Sequence, residues 1–342
     1  MEKYLSRPTR PLKIKPRKIS KLLEDMEFIS FQGRALASAL RIWKEMLKDD
    51  LTIFMGLSGA MVPAGLREVI AYLIENKFID CLVSTGANLF HDCHESLGRF
   101  HYLGVPHLDD IKLKECGIDR IYDTLARETE FRKTDAWIIQ KFLSILDLSR
   151  PYTTREFFYL LGEKLSKVSK KEGILTSAYK SQVPVYCPAI ADSSFGIAIA
   201  VHNKKLEKSF LFDVIAEVNE TAEMVLNSKA TGVIYVGGGV PKNFIQQAEV
   251  TASFYDDKDL GHKYAIQITT DAPHWGGLSG CTFQEAQSWG KIHRKARMIT
   301  VYSDATIALP FLVTALGESA QDLIKKRKFP VFDWKGKFKI KR

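Results

Sequence analysis

The chain has 342 residues, 46% of them hydrophobic, enough to bury a full core in one large domain or two small ones, which excludes a disordered protein. No run approaches the roughly 20 apolar residues a membrane helix needs, and Met1-Glu-Lys-Tyr-Leu lacks the apolar segment of a secretory signal. A cytoplasmic protein with no membrane partner is expected. The net charge of +9 sits at the ends: residues 1–21 contribute +7 and residues 325–342 contribute +8, which leaves the middle at −6. An acidic body suits cationic substrates and argues against nucleic acid as the partner, the basic ends reading as solvated termini.

Ser6-Arg-Pro-Thr-Arg-Pro-Leu-Lys-Ile-Lys-Pro has three prolines and no helical period, so residues 1–20 read as an extended basic tail. From Phe31 to Leu47 apolar residues recur at three- and four-residue spacing, the mark of an amphipathic helix. Short apolar runs at 51–55, 81–84, 183–187, 232–236, 264–268 and 298–302 have strand length, and nearly all lead into small or Gly-rich turns and a helical stretch. That alternation predicts an α/β fold, a doubly wound, mostly parallel, Rossmann-like sheet. The charged stretch from about Leu103 to Lys180 reads as a helical insertion. One folded domain is expected over residues 21–324, with residues 325–342 a second basic tail.

In such sheets ligands bind beyond the carboxyl ends of the strands, so the turns there carry the candidate site. The first, Phe54-Met-Gly-Leu-Ser-Gly, offers Ser58 and Gly59; the second, Ser84-Thr-Gly-Ala-Asn, offers the hydroxyls of Ser84 and Thr85. Both suit ribose or phosphate oxygens, and ordinary helix capping uses the same residue types. The third, Tyr235-Val-Gly-Gly-Gly-Val-Pro-Lys-Asn, puts Gly237 and Gly239 between a strand and a proline-started helix. Three glycines serve either close approach of a ligand or a tight turn. They do not have the spacing of the GxGxxG dinucleotide fingerprint. The fourth, Thr269-Thr-Asp-Ala-Pro-His-Trp-Gly-Gly-Leu-Ser-Gly, is too long and polar for a plain connector and leads into a helix expected to carry Glu285, Trp289 and Lys291.

A lone helical lysine is ordinarily solvated. Trp289 beside a glycine can wall off water from Lys291, and a desolvated lysine loses its proton more readily, as an imine-forming nucleophile requires. His91, His94, His101 and His107 match no structural zinc spacing, and the five scattered cysteines contain no CxxC pair, so no metal site or disulfide framework is expected.

From about Phe31 to Leu316 the chain resembles the deoxyhypusine synthase family, most closely its bacterial deoxyhypusine synthase-like group. The resemblance rests on Gln32-Gly-Arg, Gly65-Leu-Arg-Glu, Leu82-Val-Ser-Thr, Pro184-Val-Tyr-Cys-Pro-Ala-Ile-Ala-Asp, Gly237-Gly-Gly-Val-Pro-Lys, Glu285-Ala-Gln-Ser-Trp-Gly-Lys and Val301-Tyr-Ser-Asp-Ala, in order and spacing. It implies a homotetramer with sites at subunit interfaces, NAD as cofactor, a polyamine such as spermidine as donor, and a lysine that captures an aminobutyl imine before an acceptor amine takes the group. By position, Lys291 is then the imine-forming lysine, Trp289 the wall of the amine tunnel and Glu285 a carboxylate for a substrate ammonium. Ser58, Gly59, Ser84, Thr85, Asp192, Gly237, Gly239, Thr270 and Asp304 fall at NAD-contacting positions.

The departures concern the substrate. Ile197 and Leu278 fall where eukaryotic members hold substrate amine with two carboxylates, His91 falls where a glutamate meets NAD, and Asn243 replaces a histidine beside the tunnel. Losing two counter-charges for a buried ammonium is a change of several kcal/mol unless compensated. Asp271 and His274 have no counterpart in those members and either supply a replacement carboxylate and base or structure the turn. The expected function is NAD-dependent aminoalkyl transfer, with a small amine the favoured acceptor. Transfer to a protein lysine, a homospermidine synthase-like transfer to putrescine, and a non-catalytic NAD-binding protein are the alternatives.

Overall fold

All six apolar runs form strands in the computed structural model, which describes residues 5–205, 209–256, 260–334 and 338–341. They are β1 Thr52–Leu57, β2 Cys81–Ser84, β3 Val185–Tyr186, β4 Thr231–Val236, β5 His262–Thr269 and β6 Ile292–Tyr302. The main sheet has the order β3-β2-β1-β4-β5-β6, the doubly wound arrangement whose winding reverses between β1 and β4. β2 pairs in parallel with β3, Leu82 opposite Val185, and β4 with β5, Gly232 opposite Tyr264. β5 and β6 are also parallel, with an irregularity between His262 and Tyr264 that brings Tyr264 opposite Arg297. Every residue of β1, β2 and β4 is buried, as expected of parallel strands covered on both faces, and this is why they read as continuous apolar runs.

The chain divides into two compact units. The first comprises Met1–Gly56, Asn76–Asp80 and Glu220–Arg342. The predicted amphipathic helix spans Phe31–Lys48 here and buries Leu40, Trp43, Met46 and Leu47. The helix Gly239–Ser253 follows β4, and Ala305–Ser319 follows β6. At the amino ends of β4 and β5, His262 Nδ1 lies 2.9 Å from Glu249 Oε1 and 2.8 Å from Thr231 Oγ1, and Gly261 N donates to Glu249 Oε2. The range 325–342, read from sequence as a basic tail, contains Arg327, buried against Asp80 and donating to the carbonyls of Leu51 and Lys77. Beyond it Val331–Asp333 pairs antiparallel with Lys339–Lys341.

The second unit comprises Leu57–Glu75 and Cys81–Asn219. Its centre is an ion pair between Arg67 Nε and Asp92 Oδ1 at 2.7 Å; Asp92 also accepts from Ile174 N and Leu175 N, so the buried carboxylate is fully coordinated. The segment read as a helical insertion carries the helix Glu128–Trp137 but also a three-stranded antiparallel sheet of Tyr102–Leu103, Thr124–Arg127 and Ile118–Ile121. Its hairpin turns on Tyr122-Asp123, with Tyr122 at positive φ, and its strands of two to four residues are too short to show a period. Among the described residues no helix is long and apolar enough to cross a membrane.

Candidate active site

In the first unit, the expected helix carrying Glu285, Trp289 and Lys291 ends early. It spans Phe283–Ser288, capped at its start by Thr282 Oγ1 accepting from Glu285 N. Trp289 follows, Gly290 takes the left-handed conformation that stops the helix, and Lys291 stands directly before β6. There Lys291 Nζ donates to Asn243 Oδ1 at 2.9 Å and lies 5.4 Å from the centre of the Trp289 ring. Asn243 comes from the first turns of the helix Gly239–Ser253. Lys291 is half-buried, and Trp289 leaves 65% of its surface exposed, so within one chain the tryptophan does not seal the lysine.

Lys242, next to Asn243, is a dehydrated lysine. Its side chain is 1% exposed, and Nζ donates to Gln267 Oε1 at 2.9 Å and to the carbonyl of Cys281 at 2.6 Å. Burial pushes its pKa down to about 8, with Lys291 adding to the fall and Cys281 and Glu285 opposing it. Burial likewise raises the Cys281 thiol, and a hydrogen bond to Glu285 contributes. Lys242, Cys281, Glu285 and Lys291 therefore lie within electrostatic reach of one another. Sequence reasoning passed over Lys242, although it stands inside the glycine run that drew attention to the turn.

Gln267, on β5, explains how that turn is held. Its Nε2 donates to the carbonyls of Gly237 at 2.9 Å and Ser279 at 2.8 Å, joining the turn after β4 to the loop after β5. Gly237 and Gly239 have positive φ, and a Cβ on Gly238 would stand 2.3 Å from Ser279 Cα. The middle glycine thus answers to close approach by the protein's own loop, while a Cβ on Gly239 would meet no atom within 4 Å. Thr270, Asp271, His274 and Leu278 are all exposed on that loop; the His274 ring lies tilted against Trp275 with centres 4.3 Å apart, and Asp271 N donates to Thr269 Oγ1. Asp304, after β6, caps its helix by accepting from Thr306 N and Oγ1.

In the second unit the first two turns are tied together. Asn88 Oδ1 accepts from Met61 N and Val62 N, and its Nδ2 donates to Gly59 O and Thr85 Oγ1. Thr85 Oγ1 in turn donates to Gly59 O at 2.7 Å. Ser58 and Gly59 are thereby set beside Ser84 and Thr85. A Cβ on Gly86 would stand 2.4 Å from Ser193 Cβ, which brings the exposed Asp192 and its neighbour onto the same turn. Ile197 is exposed one turn into the helix Ser194–Asn203. Asn88 was quoted with its turn but not singled out, because a staple across thirty residues leaves no local signal.

The family model "Deoxyhypusine synthase" matches residues 21–316. The chain is 51% identical to "Probable deoxyhypusine synthase 2" of Methanosarcina acetivorans over 97% of this chain and 96% of that one. It is 38% identical to a "Deoxyhypusine synthase-like protein" of the bacterium Elusimicrobium minutum, over 86% of this chain and 79% of the relative. A solved Entamoeba histolytica structure carrying the deoxyhypusine synthase name superposes with a TM-score of 0.63 at 19% identity, covering 90% of this chain and 97% of that one, and so shares the fold. The chain belongs to the deoxyhypusine synthase family and is a transferase.

Proposed function

We propose that the protein transfers an aminobutyl group from a polyamine through an imine on Lys291, with NAD as its cofactor. The observation that carries the reading is the Lys291 amine held 2.9 Å from the neutral amide oxygen of Asn243, under the Trp289 ring, in a member of this family. Asn243 orients the nitrogen through its carbonyl oxygen, without adding charge and without titrating. Lys291 attacks as a free amine: its Nζ bonds to the imine carbon, the bond to the departing diamine breaks, and the proton lost by Nζ leaves on that diamine. The acceptor amine repeats the exchange and releases Lys291. Trp289 and Leu278 offer apolar surface to the aminobutyl methylenes, and Glu285 a carboxylate to the distal ammonium.

NAD, when bound, takes up the hydride that creates the imine and returns it to the product. The residues present fit such a group. In the second unit Ser58, Gly59, Thr85 and Asp192 lie in turns following strands, while Ser84 is the buried last residue of β2; in the first unit Gly237, Gly239, Thr270 and Asp304 lie in such turns, and Gly59 and Gly239 expose backbone at positive φ. Asp304 Oδ2 has no partner among the described residues, which leaves an acceptor for a ribose hydroxyl. We read the enzyme as a cytoplasmic homotetramer.

Ile197 and Leu278 are each exposed and uncharged, where the family resemblance sets paired carboxylates, and a small amine is our assigned acceptor. Incubation with spermidine and NAD, supplied either with putrescine or with the initiation factor that receives deoxyhypusine, tests this. Homospermidine as the main product supports the assignment. A modified lysine on the factor, with no free polyamine product, contradicts it.

A further inference from the structure

The first unit holds a cavity of about 370 Å³ that the reaction above leaves unused, large enough for a small organic molecule. It lies at the amino end of the sheet: Thr231 begins β4, Gly261 precedes β5 and His293 is the second residue of β6, and all three line it. The turns assigned to NAD follow the carboxyl ends of strands, and the described lining includes neither Asn243 nor Glu285, Trp289 or Lys291.

Val225, Ala230 and Leu260 give the cavity an apolar wall, and Lys229, Lys263 and Lys295 converge on it from three separate segments. Lys229 Nζ is paired with Asp50 at 2.7 Å and Lys263 Nζ with Asp49 at 2.6 Å, but neither aspartate lines the cavity, and an ammonium bonded once keeps two N–H groups. The two side chains are 72% and 49% exposed, and Lys295 is exposed as well. The His293 ring accepts from Lys295 N through Nδ1 at 3.1 Å, so its Nε2 carries the ring proton and is a further donor. Glu249 also lines the cavity, but its carboxylate is turned inward. It is 2% exposed, Oε1 accepts from Thr231 Oγ1 and lies 2.9 Å from His262 Nδ1, and Oε2 accepts from Gly261 N at 2.8 Å. The walls therefore present apolar surface and donors.

We propose that this cavity binds a small monocarboxylate with an apolar body, the chain lying against Val225, Ala230 and Leu260 and the carboxylate among Lys229, Lys263 and Lys295. A doubly charged phosphate fits less well. Val225 and Glu249 stand near the carboxyl ends of the helices Val214–Leu226 and Gly239–Ser253, and the carboxyl end of a helix carries partial negative charge. The three ammonium groups disfavour a cationic amine, so the ligand is not the polyamine of the main reaction.

The test is titration of the full-length protein with hexanoate, followed by calorimetry and by the magnetic resonance signal of the His293 ring, with hexanol and inorganic phosphate as comparisons. Hexanoate should bind with a Kd of about 1 mM and move the His293 signal, and each comparison should bind about tenfold more weakly. The double variant Lys229→Glu/Lys295→Glu should weaken hexanoate by about tenfold or more, whereas Lys112→Glu, at an exposed lysine of the second unit, should leave it unchanged. Should the double variant fail to fold, Lys295→Glu alone, at an exposed position, carries the same test. Hexanol or phosphate binding as tightly as hexanoate overturns the proposal, as does unchanged affinity in the folded lysine variants or the absence of saturable hexanoate binding. These readouts need neither NAD nor spermidine, so they stand apart from the proposed reaction.

Discussion

Lys242 and Lys291 share one neighbourhood, and burial divides their parts. Lys291, half-buried against a neutral amide, is accessible to a ligand. Lys242 is enclosed and spends its protons on Gln267 and the Cys281 carbonyl, so it holds up the loop from which Glu285 follows. A pKa lowered from 10.5 to about 8 means the folded state disfavours the charge. The unfolded chain therefore binds more protons between those values, and stability rises with pH across that window. Relative to Lys242→Met, the wild type should gain on the order of 3 kcal/mol between pH 8 and 10.5, read from urea unfolding at the two ends. Equal pH dependence in the two proteins would show that Lys242 is not desolvated.

The glycine turn after β4 makes a prediction at the scale of the element. Gly238→Ala drives a Cβ to 2.3 Å from the backbone of Ser279, which no rotamer change relieves, and should destabilise by about 1–3 kcal/mol. Gly239→Ala meets open space and bears only its positive φ, about 1–2 kcal/mol. Unfolding midpoints should rank the two in that order. Which elements the sequence disclosed follows the same physics. β1, β2 and β4 are legible because burial on both faces leaves unbroken apolar runs, and Cys81–Ser84 matches its run to the residue. β6 begins six residues before its apolar run because His293, Arg294 and Lys295 lie at a partly exposed, irregular start. The helix expected to carry Lys291 ends early because Gly290, at positive φ, is a stop that the residue pattern alone does not mark. The staples through Gln267, Asn88 and Lys242 were invisible, since each joins residues distant in sequence by long-range hydrogen bonds.

For the whole chain, the charge map needs one revision. The basic end reads as +8 of solvated charge, yet Arg327 within it is buried in a pair with Asp80 and serves the first unit's core. Arg327→Met leaves that carboxylate buried and unpaired and should cost about 3–5 kcal/mol in an equilibrium unfolding experiment. A surface arginine would change stability by less than about 1 kcal/mol. The proposed function turns on one nucleophile, Lys291, held against Asn243 in a member of this family. The most direct measurement is borohydride reduction during incubation with NAD and spermidine, followed by peptide mass spectrometry. The account predicts an aminobutyl group fixed on Lys291 and no adduct or transfer in Lys291→Ala. Full transfer by Lys291→Ala, or an adduct confined to another lysine such as Lys242, would contradict it.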